Sequence, residues 1–382
     1  MGRIQKTYGE TANSDLTDQK IIVQRIPQYT AVTLNSGGKI TCSAWDGTKG
    51  GIVVLSCNGT IAINSGGSID VSELGYRGGL AQNVSAYQGE GSKGAGAQSL
   101  SANGNGGGGA GNGGGANIAS GGAGGHGIVG GNGGKQNQAI AGIGGEAIGS
   151  TDLVKMFFGG ASGGCNSDIQ GPPPSGSNGG GLIYLIADTV AGSGSFYSKG
   201  QRGYNHAELG GNQQCSSGAA GGSILIKRNV YSFSGSLSVA GGVKGVKSSG
   251  NYESGAGSVG RSKVDGGLPS IGYGNGKDGS VTLSSSATID SSLKSGGRTY
   301  ADGINYGVSA LTDYTIVTST TPNGITNGDL LLLMNMRGGS SKYANVGNYE
   351  IVSVIGVNLG TNTINSAELI GGGMMLLWSK NK

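Results

Sequence analysis

Apolar and polar residues alternate one by one along TAVTLNSGGKITCSAW (30–45), GGIVVLSCNGTIAINSGGSIDVS (50–72), SVTLSSSATIDSS (280–292) and YEIVSVIGVNLGTNTI (349–364). Each stretch is bounded by Gly, Asn or Ser, which is the pattern of half-buried strands closed by turns. No segment carries a helical apolar period, and glycine this frequent disfavours helices in any case. The expected fold class is all-β. Three stretches repeat one plan: Gly-Gly, an apolar strand, an Asn or Asp corner, a second strand, then a glycine loop. They are residues 50–79, 180–203 and 221–245, with a fainter copy at 278–297. Repeats that cannot bury their faces alone stack, so a solenoid or layered sandwich is expected.

Between the first two copies lies a tract typified by GNGGGGAGNGGGAN (104–117). Glycine supplies 85 of 382 residues. Such a run reads first as a flexible linker, since Gly loses the most backbone entropy on ordering. The alternative is a sheaf of polyglycine II strands, close enough without side chains for neighbouring N–H and C=O groups to pair. The spread of glycine through the chain favours the second reading. The division expected is 1–88 N-terminal β region, 89–179 glycine-rich insertion, 180–297 β repeats with recognition loops, and 298–382 C-terminal β region.

Composition narrows the function classes. Hydrophobic residues make up 35% and aromatics 5%, too few for one large oily core, while charged residues at 12% are too few for a soluble disordered chain. A net charge of +4, with no Lys/Arg run longer than a pair, leaves no nucleic-acid footprint. The longest apolar runs, GDLLLLMNM (328–336) and GGMMLLW (372–378), are strand-length, so no membrane insertion is expected. MGRIQKTYGETANSD lacks the apolar stretch of a secretory signal, so export by that route is not expected unless a leader was already trimmed. Cys42 and Cys57 sit in apolar strands and read as buried thiols. Cys165 and Cys215 lie in polar glycine-rich loops, where they either pair or stand apart.

No convergent titratable cluster is legible, so neither enzyme activity, a cofactor nor a metal is expected. His126 in GGAGGHG and His206 in GYNHAE read as solvated loop residues, and the G-x-G-x-x-G matches follow from composition alone. Carboxylates brought together by stacking leave a glycan-cleaving tail protein as a third reading. The loops SFYSKGQRGYNHAE, SSGNYESG and SIGYGNG combine Tyr with Ser, Gly and Asn, the palette of recognition surfaces. Candidate binding residues are Tyr197, Tyr204, His206, Tyr252 and Tyr273; the bland reading is that the tyrosines cap the glycine sheaf against water.

The glycine motifs resemble those of receptor-recognising tip adhesins on long tail fibres of T-even-type phages, whose glycine-rich part is a polyglycine II sandwich. More specifically, residues 19–79 look like a block recurring in glycine-rich surface or secreted bacterial and phage-like proteins, and 327–338 with 345–364 resemble a second block of those proteins. In that family the second block runs directly upstream of the first, whereas here the two stand at opposite ends. The resemblance implies a non-enzymatic structural or adhesive protein outside a cell, as a virion tail-fibre or tip component, or else a self-assembling extracellular filament. Its partners would be copies of itself and a host-surface glycan or outer-membrane receptor. The reversed block order predicts head-to-tail pairing of C-terminal with N-terminal strands of neighbouring subunits, through Ile4, Ile21, Val23, Ile351 and Val354. Closure of the same strands within one chain is the rival.

Overall fold

The computed structural model describes residues 4–104, 106–113, 117–166, 175–205, 216–246, 253–266 and 272–368. Strands and turns account for its regular structure, with no helix among the described residues, so the all-β expectation holds. After β1 (Lys20–Ile26) and β2 (Gln28–Tyr29), strands come in pairs, a first strand and a short one after a tight turn. The pairs are β3 (Ala31–Leu34) with β4 (Lys39–Thr41), β5 (Ile52–Ile63) with β6 (Ser68–Asp70), and β7 (Leu182–Gly192) with β8 (Ser195–Tyr197). They continue with β9 (Ser223–Phe233) and β10 (Ser236–Ser238), then, after β11 (Arg261–Gly266), with β12 (Ser280–Leu283) and β13 (Ser286–Thr288).

The first strands form a parallel sheet in the order β11-β9-β7-β5-β3-β12, with β2 also beside β5, and the short ones form a second in the order β10-β8-β6-β4-β13. The two orders match pair for pair. The four repeats read in the sequence coincide with the pairs β5/β6, β7/β8, β9/β10 and β12/β13, but the expected Asn or Asp corner lies within a single strand, at Asp188 in β7 and Asn229 in β9, and the turn comes after it; β3/β4 is a fifth pair that inserts between β12/β13 and β5/β6. Register is kept across the sheet, so that Val281, Val32, Ile61, Val190 and Tyr231 form one column, and Leu283, Leu34, Ile63, Gly192 and Phe233 another. At the tight turns the two NSGG motifs coincide. Gly37 and Gly66 hold φ of +82° and +80°, which L side chains resist, and Asn64 Nδ2 donates to Asn35 Oδ1 at 3.0 Å. Between the sheets lies an aliphatic core that includes Val32, Ile40, Leu55, Ile61, Ile69, Leu185 and Phe196; Cys42 and Cys57 are buried there as expected.

The remaining strands close an antiparallel barrel in the order β1-β14-β15-β18-β17-β16, with β14 (Asn305–Leu311), β15 (Thr315–Thr318), β16 (Leu330–Arg337), β17 (Tyr349–Asn358) and β18 (Thr363–Glu368). Strands β1 and β16 bury both faces. Ile21, Val23, Leu331 and Leu333 fill the barrel, while Ile22, Ile26, Leu330, Leu332 and Met334 pack outward on Ile52, Val54, Leu182 and Tyr184 of the first sheet. This double burial explains why KIIVQRI and LLLLMNM are nearly continuous apolar runs rather than alternating ones.

The barrel corrects the expected pairing between subunits. β1 pairs with β16 of the same chain, Ile21 opposite Asn335 and Val23 opposite Leu333. Ile4, Ile21, Val23 and Val354 are all buried in the barrel interior, and Ile351 packs on the neighbouring cluster. These strands therefore leave no edge for another subunit, because closing the barrel within one chain satisfies their hydrogen bonds without the entropy cost of association. GGMMLLW, expected to join them, lies outside the described residues.

Candidate recognition surface

The glycine-rich segments extend the strand pairs. Residues 198–205 and 239–246 run on from β8 and β10, while 175–181, 216–222 and 253–260 run into β7, β9 and β11. Their backbones bond laterally. Gly109 N–H donates to Ile143 O (2.7 Å), Gly122 to Gly109 (2.8 Å), Gly163 to Gly122 (2.9 Å), Gly125 to Gly106 (2.7 Å) and Gly130 to Gly145 (2.9 Å). The pattern passes from the insertion to the repeats, with Gly180 donating to Ala220 (2.9 Å) and Ala220 to Gly160 (2.9 Å). A methyl carbon added at Gly124 would stand 1.7 Å from Gly160 O, at Gly163 1.9 Å from Gly109 O, and at Gly108 2.0 Å from Gly122 O. Only hydrogen fits between these backbones, which is why the tract carries glycine. Phe158 anchors its base, 5.5 Å from the Trp45 ring and edge-on to Tyr76 at 5.3 Å.

At the end farther along these segments from the strands, several described segments lie beside one another. Asn166 Oδ1 accepts from Ala119 N–H (2.6 Å) and its Nδ2 donates to Asn117 O (2.9 Å), tying the stem at 166 to that at 117. Ser177 Oγ donates to Arg202 O (2.9 Å); Tyr204 N–H donates to Ser216 Oγ (2.8 Å). Gly245 N–H donates to Ser216 O (3.2 Å), and Val246 N–H to Asn205 Oδ1 (3.0 Å). Ser217 Oγ donates to Gly121 O (2.6 Å) and so joins the two sets; the described residues beside 114–116, 167–174, 206–215 and 247–252 are neighbours. Aliphatic side chains surround them: Leu80, Val84, Ile140 and Val243 each expose more than half their surface, Val243 66%.

Tyr204 stands in this neighbourhood, half-buried, with its hydroxyl accepting from Gln201 Nε2 at 3.1 Å. Tyr197 lies nearer the sheets on β8. Phe196 turns into the core, so alternation places Tyr197 on the outer face, where Lys199 Nζ sits 3.9 Å from its ring centre. Tyr273 is not part of the group; it packs on the cluster between barrel and sheet, and burial with the Asp188 charge raises its hydroxyl pKa. His206 and Tyr252 lie outside the described residues, as does Cys215; Cys165 is buried among the glycine segments.

His126 is a correction to the solvated-loop expectation. It is fully buried, its Nδ1 is 2.7 Å from Gly221 O, and burial moves its pKa down to about 4, so the ring is neutral near pH 7. Two buried ionic clusters escaped the sequence reading. Arg25 bonds Asp329 Oδ1 through Nε (2.6 Å), Asp278 through Nη2 (2.8 and 3.0 Å) and the Asp302 carbonyl through Nη1 (3.0 Å), and Tyr29 donates to Asp302 Oδ2 (2.8 Å). Glu90 accepts from Arg77 Nε at 3.0 Å and also pairs with Arg337. The partners are scattered along the chain, so no local motif announces either cluster.

A groove of about 460 Å³ beside Glu90, between barrel and insertion, is lined by Asp18, Lys20, Lys93, Asn103 and Arg337. Two of its three cations are already engaged, Arg337 by Glu90 and Lys93 over the Tyr343 ring at 4.5 Å. Among the described residues no group of three or more His, Cys, Asp or Glu side chains could hold a metal ion. Comparison with protein-family models, curated proteins and solved structures finds no match to this chain. The surface that combines converging loop stems, exposed aliphatic groups and a rigid support is thus the end of the glycine-rich segments.

Proposed function

We propose that the chain is a non-enzymatic adhesive and structural protein that works outside a cell, as a tail-fibre or tip component of a phage virion. In this reading the strand pairs stack as a β-solenoid, and the glycine-rich segments form a polyglycine II layer that carries recognition loops at its far end. The observation that carries the reading is the convergence of loop stems and exposed aliphatic residues on a scaffold held by backbone hydrogen bonds. Loops on a rigid support are where binding concentrates, and an exposed apolar patch rimmed by polar groups favours a partner surface. The partner class is a host-surface glycan or an outer-membrane receptor. Tyr204 offers amphipathic contact area beside adaptable Asn and Ser groups.

Tyr204→Ala with Val243→Ser tests this. The double variant is expected to lose binding to host cells by about tenfold or more while its melting temperature stays close to that of the parent. Binding retained in full by a stably folded variant would overturn the reading. A self-assembling filament is the second reading, favoured by the strand edges that no described strand covers at both ends of the stacked pairs.

A further inference from the structure

Strands β9 and β10 at one end of the two parallel sheets, and β12 and β13 at the other, carry edges that no described strand covers. At the first end β11 covers β9 only along Ser223–Arg228, and Gly260 N–H is bonded to Val239 O, so the uncovered edge runs from Asn229 to Ser238. At the other end the turn after β13 bonds back onto Thr288, whose carbonyl accepts from Ser292 and Leu293, so the uncovered edge runs from Gly279 to Ala287. The two edges occupy the same columns of the same sheets.

We infer that these edges pair with each other between copies of the chain, β12–β13 of one copy adding to β9–β10 of the next. The first argument is hydrogen-bond phase. Ser234 and Ser236 donate inward to Gly192 (2.8 Å) and Gly194 (2.9 Å), so alternation turns the backbone groups of Phe233 and Leu237 outward. At the other edge, Leu283 and Ser285 carbonyls accept from Asn35 (2.8 Å) and Lys39 (3.2 Å), so within the strands those of Thr282 and Ser286 turn outward, while the Ser284 carbonyl, in the turn, faces Gly37. Outward groups at Tyr231, Phe233 and Leu237 facing outward groups at Thr282 and Ser286 reproduce the phase by which β3 and β4 already sit on β12 and β13.

The second argument is side-chain fit. In the interior columns Val281 would follow Tyr231, Leu283 would follow Phe233, and Ala287 would follow Leu237. Phe233, Leu237, Leu283 and Ala287 are the partly buried members of the aliphatic core at its two ends, and Tyr231 is 36% exposed. Stacking would complete their burial. The third is charge: NVYSFSGSLS and GSVTLSSSA contain no ionisable side chain other than Tyr231, whereas β11, RSKVDG, carries Lys263 and Asp265. Soluble proteins commonly place charges on exposed edges to prevent pairing; these two segments carry none of their own, and the charge nearest them, Arg228, lies over the Tyr231 ring at 5.6 Å. A contact between opposite ends of the same molecule does not close, so it propagates as a filament with copies in line.

The inference goes beyond the recognition role and is tested without any receptor. The purified chain is expected to show scattering mass that rises with concentration. Thr282→Pro removes an outward N–H from one edge, and Tyr231→Lys places a charge in the end column of the other. Each variant alone is expected to stay monomeric with the parent's melting temperature, and an equimolar mixture to form dimers and stop, since one good edge remains on each. Should Thr282→Pro lose its cooperative melting, Ser284→Lys on the same edge makes the same test. A parent chain that stays monomeric at every concentration, or folded variants that polymerise like the parent, would overturn the inference, as would a mixture that remains monomeric.

Discussion

At the scale of single residues, the absence of a side chain and the burial of one imidazole make measurable predictions. A carbon at Gly107 would stand 2.3 Å from Gly89 O, and Gly89 N–H donates to Gly108 O at 2.8 Å. Gly107→Val must therefore push the neighbouring backbones apart, lose hydrogen bonds worth about 1 kcal/mol each and leave buried groups unsatisfied. Destabilisation of roughly 2–4 kcal/mol by denaturant titration is expected, within the range for broken backbone packing. Gly114, in the same tract, lies outside the described residues. His126 gives a pH signature. Its folded pKa, about 4, lies below the ordinary value of 6.5, so the unfolded chain binds the extra proton first. Its contribution is intact above pH 6.5 and is lost as pH falls towards 4, on the order of 3 kcal/mol in all. His126→Asn is expected to flatten that region of the stability–pH curve; an unchanged slope between those limits would show the imidazole is not its source.

At the scale of elements, the join between barrel and sheets rests on apolar packing and on the Arg25 cluster. Arg25 is on β1, its partners Asp278, Asp302 and Asp329 sit in three separate loops, and all four side chains are buried. Asp329 also pairs with Lys277 at 2.7 Å and accepts from Thr326 N–H at 2.7 Å. Neutralising Asp329 takes from Lys277 its carboxylate partner and from the buried Arg25 one of its two, in a medium that solvates charge poorly. Asp329→Asn is expected to cost roughly 3–5 kcal/mol, the usual penalty for breaking a buried pair. Hydrogen exchange is the informative measurement: protection should fall first in β1, β14 and β16, while β5 and β7 stay protected. Uniform loss across barrel and sheets would mean that the cluster does not govern the join. The same reasoning changes what trimming the first residues would do. Tyr8 is fully buried in the barrel and Ile4 N–H bonds to Asp313 O at 2.7 Å, so their removal opens the barrel rather than freeing an edge.

At the scale of the whole molecule, the two ends of the sequence meet in one barrel, with 20–26 between β14 and β16. The blocks that the sequence resemblance placed in reversed order along the chain are thereby neighbours in space. The chain leaves the barrel after β1, runs through β3 to β13, and returns to complete it. Under the proposed stacking, each added copy would bring its own barrel and its own glycine-rich end, so that adhesion and assembly would use separate surfaces. Variants of the Tyr204 neighbourhood should then leave scattering mass unchanged, and variants of the 279–287 edge should leave binding by single copies unchanged.

Much of the fold was legible because its rules are local. Alternation predicted the strands and the shared plan predicted their recurrence, but the Asn or Asp corner expected between two strands of each copy falls inside one continuous strand at Asp188 in β7 and at Asn229 in β9. The glycine runs declared a backbone-bonded structure because no side chain competes with the hydrogen bonds their segments make. What the sequence could not decide was partnership at a distance. A strand pattern shows which face is buried, not whether its edge meets the same chain or another, and the answer here came from barrel closure between residues more than 300 positions apart, as with Ile21 and Asn335. His126 sits in a motif that looks like a loop and becomes interior only because Gly221, distant in sequence, packs over it. The Arg25 cluster is invisible for the same reason: charge pairing depends on separation in space, and four scattered ionisable residues acquire a common site only when tertiary contacts exclude the water between them.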